Sequence, residues 1–227
     1  MSTMNGVSLE VSPGGSAAPT AIDRLRRHAG PVALAAGAGL AIAGMALHVA
    51  GDGSAADVDL MRTIAAHPTQ WLISHLLLAA GMLLVAGGAV SVFRMARGRG
   101  AALTAAGAGV MALGAALMSL GDLAHGALAY ALARHVDPAA SLEIQETYFF
   151  HPAVAVISFG GMLLPLGVVV LGIALLRSRA VPRWVAVVLL ISPILITIGF
   201  ASGPRMALLG IPFVVGLAFL GRAVARG

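Results

Sequence analysis

The sequence predicts an all-α integral membrane protein of six transmembrane helices, two duplicated helical hairpins plus a third hairpin, with both termini in the cytoplasm. Three observations predict it. Hydrophobic residues make up 59% of the 227-residue chain and charged residues 10%, with a mean hydropathy of +0.96. A soluble domain carries charge on about a quarter of its residues, so this chain has too little polar surface to cover itself in water. The apolar residues fall in runs of roughly 17 to 25, the length an α-helix needs to cross about 30 Å of hydrocarbon. The arginines, finally, gather on alternate connections between those runs, the pattern that sets orientation in a membrane. Short alternating segments, which would mark a membrane β-barrel, do not occur in the sequence.

The elements follow in order. Residues 1–28 read as a disordered cytoplasmic tail: Met1 to Thr20 is rich in Ser, Gly and Pro without periodicity, and Arg24, Arg26, Arg27 and His28 close it. The transmembrane domain takes in 29–227, with spans at about 30–50, 70–93, 102–123, 153–176, 184–201 and 205–220. A basic stretch before an apolar one is also the general form of a signal peptide, but no clear A-x-A site ends the first run. Trp71, Tyr148 and Trp184 fall near span boundaries, where aromatic side chains anchor helices in the interface. Pro165, Pro193 and Pro212 lie inside spans and are expected to kink them or free a carbonyl.

Placing the N-terminus in the cytoplasm puts Arg24, Arg26, Arg27, Arg94, Arg97, Arg99, Arg177, Arg179, Arg183, Arg222 and Arg226 on the inner side. It leaves only Arg62, Arg134 and Arg205 outside. The positive-inside rule then predicts a multi-pass protein of the cell membrane, both termini in, with short inner turns and long outer loops at 51–69 and 124–152.

The first hairpin recurs. Residues 36–52, AGAGLAIAGMALHVAGD, align without a gap on 106–122, AGAGVMALGAALMSLGD, and both close on Gly-Asp. The next helices repeat as well: His67-Pro68-x4-Ile73-Ser74 matches His151-Pro152-x4-Ile157-Ser158. Repeat 1 covers about 30–97, repeat 2 about 101–179, and an added hairpin about 183–224. Membrane repeats pack about a pseudo-symmetry axis and form sites where they meet. Gly37, Gly39, Gly44, Gly107, Gly109 and Gly114 suit close helix approach in lipid.

The outer side carries a layer of histidine and carboxylate. Every histidine except His28 falls there, as do Asp52, Asp57, Asp59, Asp122, Asp137, Glu143 and Glu146. The repeat singles out Asp52 with Asp122 and His67 with His151, an Asp2His2 set whose nitrogen and oxygen donors suit zinc or iron. His48 stands one turn before Asp52, His125 one turn after Asp122, and His75 about 12 Å along its helix from His67. The candidate ligands are therefore His48, Asp52, His67, His75, Asp122, His125 and His151. An ionisable residue inside a span is costly and faces a partner in the bundle, which gives His48 and His75 the strongest functional reading. His-Pro at a helix start has a plainer reading as boundary chemistry, since proline suits the first helical position. A b-type haem is the competing cofactor, because His48 and His75 on adjacent antiparallel helices could supply two axial imidazoles.

Other classes are excluded by what is missing. With no cysteine there are no disulfides, thiolate sites or cysteine nucleophile; with no lysine there is no Schiff base and no phosphate loop of the G-x-x-x-x-G-K-[ST] type. Ser158-Phe159-Gly160-Gly161 lacks the glycine a G-x-S-x-G nucleophile requires, and no H-E-x-x-H or C-x-x-C-H occurs. The net charge of +5 belongs to arginines beside spans, so the expected partner is the lipid bilayer and not nucleic acid. The alternatives to a metal or haem protein are a proton-coupled transporter, with His48, His75 and Asp122 as a relay, and a non-catalytic assembly protein. The inner halves of the spans hold no ionisable residue, which counts against the transporter.

Overall fold

The computed structural model describes residues 21–49, 58–199 and 203–226. The expected tail over 1–20, together with Asp52 and Asp57, lies outside the described residues. Those described form helices joined by short connections, with no strand among them. They are α1 (Ala21–Leu47), α2 (Val58–Ala66), α3 (Pro68–Ser91), a 3-10 turn (Val92–Met95), α4 (Ala101–His135), α5 (Pro138–Phe150), α6 (Pro152–Gly160), α7 (Leu163–Ser178), α8 (Arg183–Gly199) and α9 (Gly203–Arg226). The first helix starts at Ala21, so it takes in residues 21–28 of the expected tail.

Four of the described stretches are long and apolar enough to cross a membrane: His28–Leu47, Pro68–Met95, Ala101–His135 and Ala207–Arg226. Leu163–Ser178 and Arg183–Ile196 are apolar but shorter. The expected span at 153–176 is divided between α6 and α7 by a tight turn at Gly161 and Met162. There Gly161 N–H donates to Ile157 O, Met162 N–H to Phe159 O and Leu164 N–H to Gly161 O, so the backbone bonds run on through the interruption. Pro165 falls in the first turn of α7, where a missing N–H costs little, while Pro193 and Pro212 sit within α8 and α9.

Neighbouring helices pack antiparallel through small residues. A Cβ on Gly37 of α1 would stand 2.6 Å from Gly81 O of α3, and one on Gly81 would stand 2.7 Å from Gly37 O. Only glycine at both places lets the two backbones approach this closely. Gly107 and Gly114 of α4 meet Leu171 and Leu164 of α7, Gly172 of α7 meets Leu190 of α8, and Gly221 of α9 meets Pro31 of α1. These contacts bring the start of α1, the ends of α3, α7 and α9, and the starts of α4 and α8 to one end of the bundle. The main core, built on Leu34, Met82, Val85, Met111, Leu171, Leu189 and Leu217, runs between them. Leu83, Val90, Leu113, Val156, Leu166, Ile194 and Leu208 point outward, as an apolar solvent requires.

At the opposite end a second, smaller core of Val49, Met61, Ile64, Trp71 and Ala129 ties α2 and α5 over the tops of α3 and α4. The fourth helix, with 35 residues, is about 52 Å long at 1.5 Å per residue. It therefore overshoots the roughly 30 Å hydrocarbon layer, and its last turns carry Asp122, His125 and His135 beyond the length a span needs.

Candidate functional site: a buried imidazole and indole cluster

Four rings meet where α1, α3 and α4 converge. His48 lies just past the end of α1, Trp71 and His75 are one turn apart on α3, and His125 sits on α4. His75 and Trp71 are almost wholly buried, at 3% and 2% exposure. The His75 ring centroid is 5.1 Å from that of His48 and 5.2 Å from that of His125. Trp71 lies against all three, at 4.7 Å from His48, 4.3 Å from His75 and 5.4 Å from His125. Phe149 of α5 closes the stack edge-on at 4.8 Å from His125. The approach depends on Gly126, because a Cβ there would collide with the side chain of His75.

Hydrogen bonds fix two of the rings. His75 Nδ1 donates to Trp71 O at 3.0 Å, and the Ser74 hydroxyl donates to the same carbonyl at 2.8 Å. His48 Nδ1 donates to Val49 O at 3.0 Å. A carbonyl only accepts, so Nδ1 carries the proton in both residues and Nε2 is left with the lone pair. Gln145 of α5 donates from Nε2 to Met61 Sδ of α2 at 2.8 Å, joining α2 and α5 beside the site. Two buried polar atoms in the vicinity lack a hydrogen-bond partner: Trp71 Nε1, in the stack, and Asp122 Oδ2, one turn before His125 on α4.

The seven candidate ligands are thus divided. His48, His75 and His125 come together; Asp122 lies on the same helix as His125 with one oxygen buried. His67 and His151 are exposed residues at the starts of α3 and α6, each followed by proline in the first turn, and neither side chain caps its helix. Neither belongs to the ring stack, and Asp52 lies outside the described residues. Among the described residues no group of three or more His, Asp or Glu side chains is set to hold a metal ion. Trp71, read from sequence as an interfacial anchor, is instead the most buried part of the site. Its position four residues before His75 was the available signal, since that spacing stacks two side chains on one helix face. Phe149 and Gln145 carry no such signal, because α5 is brought to them by the fold of the outer segment.

No curated protein and no solved structure matches the chain. The model of one family does, that of the domain of unknown function DUF4386, over residues 30–226. With nearly the whole transmembrane part of the sequence inside that match, the chain belongs to the DUF4386 family.

Proposed function

We propose that the protein is a six-span protein of the cell membrane, termini inside, that binds a single zinc or iron ion through the outer imidazole cluster. The observation that carries the reading is the meeting of three imidazoles from three helices, two of them with Nδ1 committed to a backbone carbonyl. A hydrogen bond from the other ring nitrogen to a carbonyl is what orients a metal-ligating histidine. Three imidazoles around one tetrahedral ion, with metal–nitrogen bonds near 2 Å, have ring centres about 5 Å apart. The His48–His75 and His75–His125 spacings, 5.1 and 5.2 Å, are close to that figure and support the reading. Asp122 Oδ2, buried and unpartnered one turn before His125 on α4, is the candidate for a fourth position.

Haem fits less well. A macrocycle must slide between its two axial imidazoles, and the indole of Trp71 already packs on both His48 and His75. The matching order of elements, long helix, short outer helix, His-Pro and then the next helix, supports descent of both hairpins from one ancestor. A second reading, the proton-coupled carrier, rests on the buried and unpartnered Asp122 Oδ2.

Purified protein in detergent separates these readings by its absorbance spectrum and metal content. The expected result is colourless or weakly coloured protein with one zinc or iron per chain. That ion is lost in His48→Ala and His125→Ala and kept in His67→Ala. A Soret band would replace the ion by haem, and protein free of both in every preparation would overturn the metal reading.

A further inference from the structure

The end of the bundle opposite the imidazoles holds a cavity of about 1020 Å³ between the α3–α4 connection and the α7–α8 turn. Arg99, Arg177, Arg179 and Arg183 line it, with no acidic residue among the lining side chains. Residues 92–121 and 147–227, which include every lining position, contain no Asp or Glu. Four arginines therefore line a space with no acidic residue among its lining residues.

The backbone adds to the same field. Ala101, Ala102 and Leu103, the first turn of α4, form part of the wall. Ala101 N–H donates to Gly98 O and Thr104 N–H to Gly100 O, while the N-cap Gly100 provides no side chain to bond the amides between them. Ala102 and Leu103 thus line the cavity at the positive end of a 35-residue helix, where first-turn amides lack intrahelical partners. Apolar Leu103 and Leu176 complete the lining, and Trp184, set edge-on to Phe219 at 4.6 Å, lies next to Arg183. A basic recess with apolar walls at the end of membrane helices has the chemistry of a phospholipid headgroup site, with room for the acyl chains along the outward leucines.

We infer that this cavity binds the phosphodiester headgroup of an anionic phospholipid, held by Arg99, Arg177, Arg179 and Arg183 and by the free amides at the start of α4. Arginine suits the task because its planar fork meets two phosphate oxygens at once. Free inorganic phosphate shares that chemistry but makes no use of the apolar walls. The site is independent of the imidazole cluster, and the proposed orientation only decides that the lipid comes from the inner leaflet.

The test is the thermal unfolding of the full chain in neutral detergent, titrated with phosphatidylglycerol, cardiolipin, phosphatidylcholine or inorganic phosphate, alongside a phosphorus assay of purified protein. The expected result is a saturable rise in unfolding temperature with the anionic lipids alone, and bound phosphorus retained through purification. Each Arg→Gln change at 99, 177, 179 or 183 should weaken the lipid effect about fivefold, while Arg62→Gln and Arg134→Gln at the other end leave it unchanged. Arg→Lys variants, which keep the charge and the fold, should fall between the two. An equal rise with phosphatidylcholine, or one that survives the Arg→Gln changes, overturns the site. An equal rise with inorganic phosphate overturns the lipid assignment.

Discussion

The two ends of the bundle handle polar groups in opposite ways. At the imidazole end the polar side chains turn inward: His75 and Trp71 are packed among helices, and their neighbours Ser74 and Gln145 are buried. At the arginine end they turn outward: Arg99, Arg177, Arg179 and Arg183 are exposed around an open recess. The difference follows from what each group can give up. An imidazole is neutral over much of the biological pH range and can be buried with one hydrogen bond, whereas a guanidinium stays charged and must keep water or an anion beside it. One end can therefore contribute to stability through packing, while the other contributes little to the core and remains open to a ligand.

The largest effect that would sharpen this contrast is expected from Trp71→Ala. It removes the ring that packs on His48, His75 and His125 and should cost about 3–5 kcal/mol, the usual range for emptying a buried aromatic site. Equilibrium unfolding in mixed micelles measures it, and a loss below about 1 kcal/mol would mean that the rings do not hold the imidazole end together. An intermediate effect of opposite sign is expected at the other end. Arg179 sits at φ 56°, in the left-handed region, as the residue that closes α7. Arg179→Gly should relieve that conformation and stabilise the fold by about 1 kcal/mol, even as it weakens lipid binding. A destabilised Arg179→Gly protein would show that the side chain supports the fold, and the contrast between the ends would fail. The smallest effect belongs to the middle of the bundle, where the Ser119 hydroxyl donates to Ala79 O across α3 and α4 at 2.7 Å. Ser119→Ala should cost about 0.6 kcal/mol, the mean for such bonds between membrane helices.

What the sequence made legible divides along the same line. The arginine end could be read in one respect: arginines beside successive apolar runs predict that those chain ends lie together, and the contacts do bring Arg94, Arg97, Arg99, Arg177, Arg179 and Arg183 to one end of the bundle. The imidazole end could be read only in part. His48, His75 and His125 were identified because each is an ionisable group on an otherwise apolar helix, and burial forces such groups together. His67 and His151 were linked by their repeated His-Pro setting, yet that setting reflects how a helix begins and both side chains face outward. Trp71 was misread because a tryptophan near a boundary has the same local sequence whether it faces headgroups or a neighbouring helix. The division of the expected span at 153–176 was hidden too, since Gly160-Gly161 within an apolar run does not reveal whether the backbone will turn.

That turn at Gly161 and Met162 has a mechanical consequence. Its amides find carbonyls three or four residues back on both sides of the break, so flexing there exposes no bare peptide group to hydrocarbon. The segment therefore changes direction with its peptide groups satisfied, and both rods stay against α4: Ile157 and Gly160 above the break meet Gly121 and Leu117, while Leu164 and Leu171 below it meet Gly114 and Gly107.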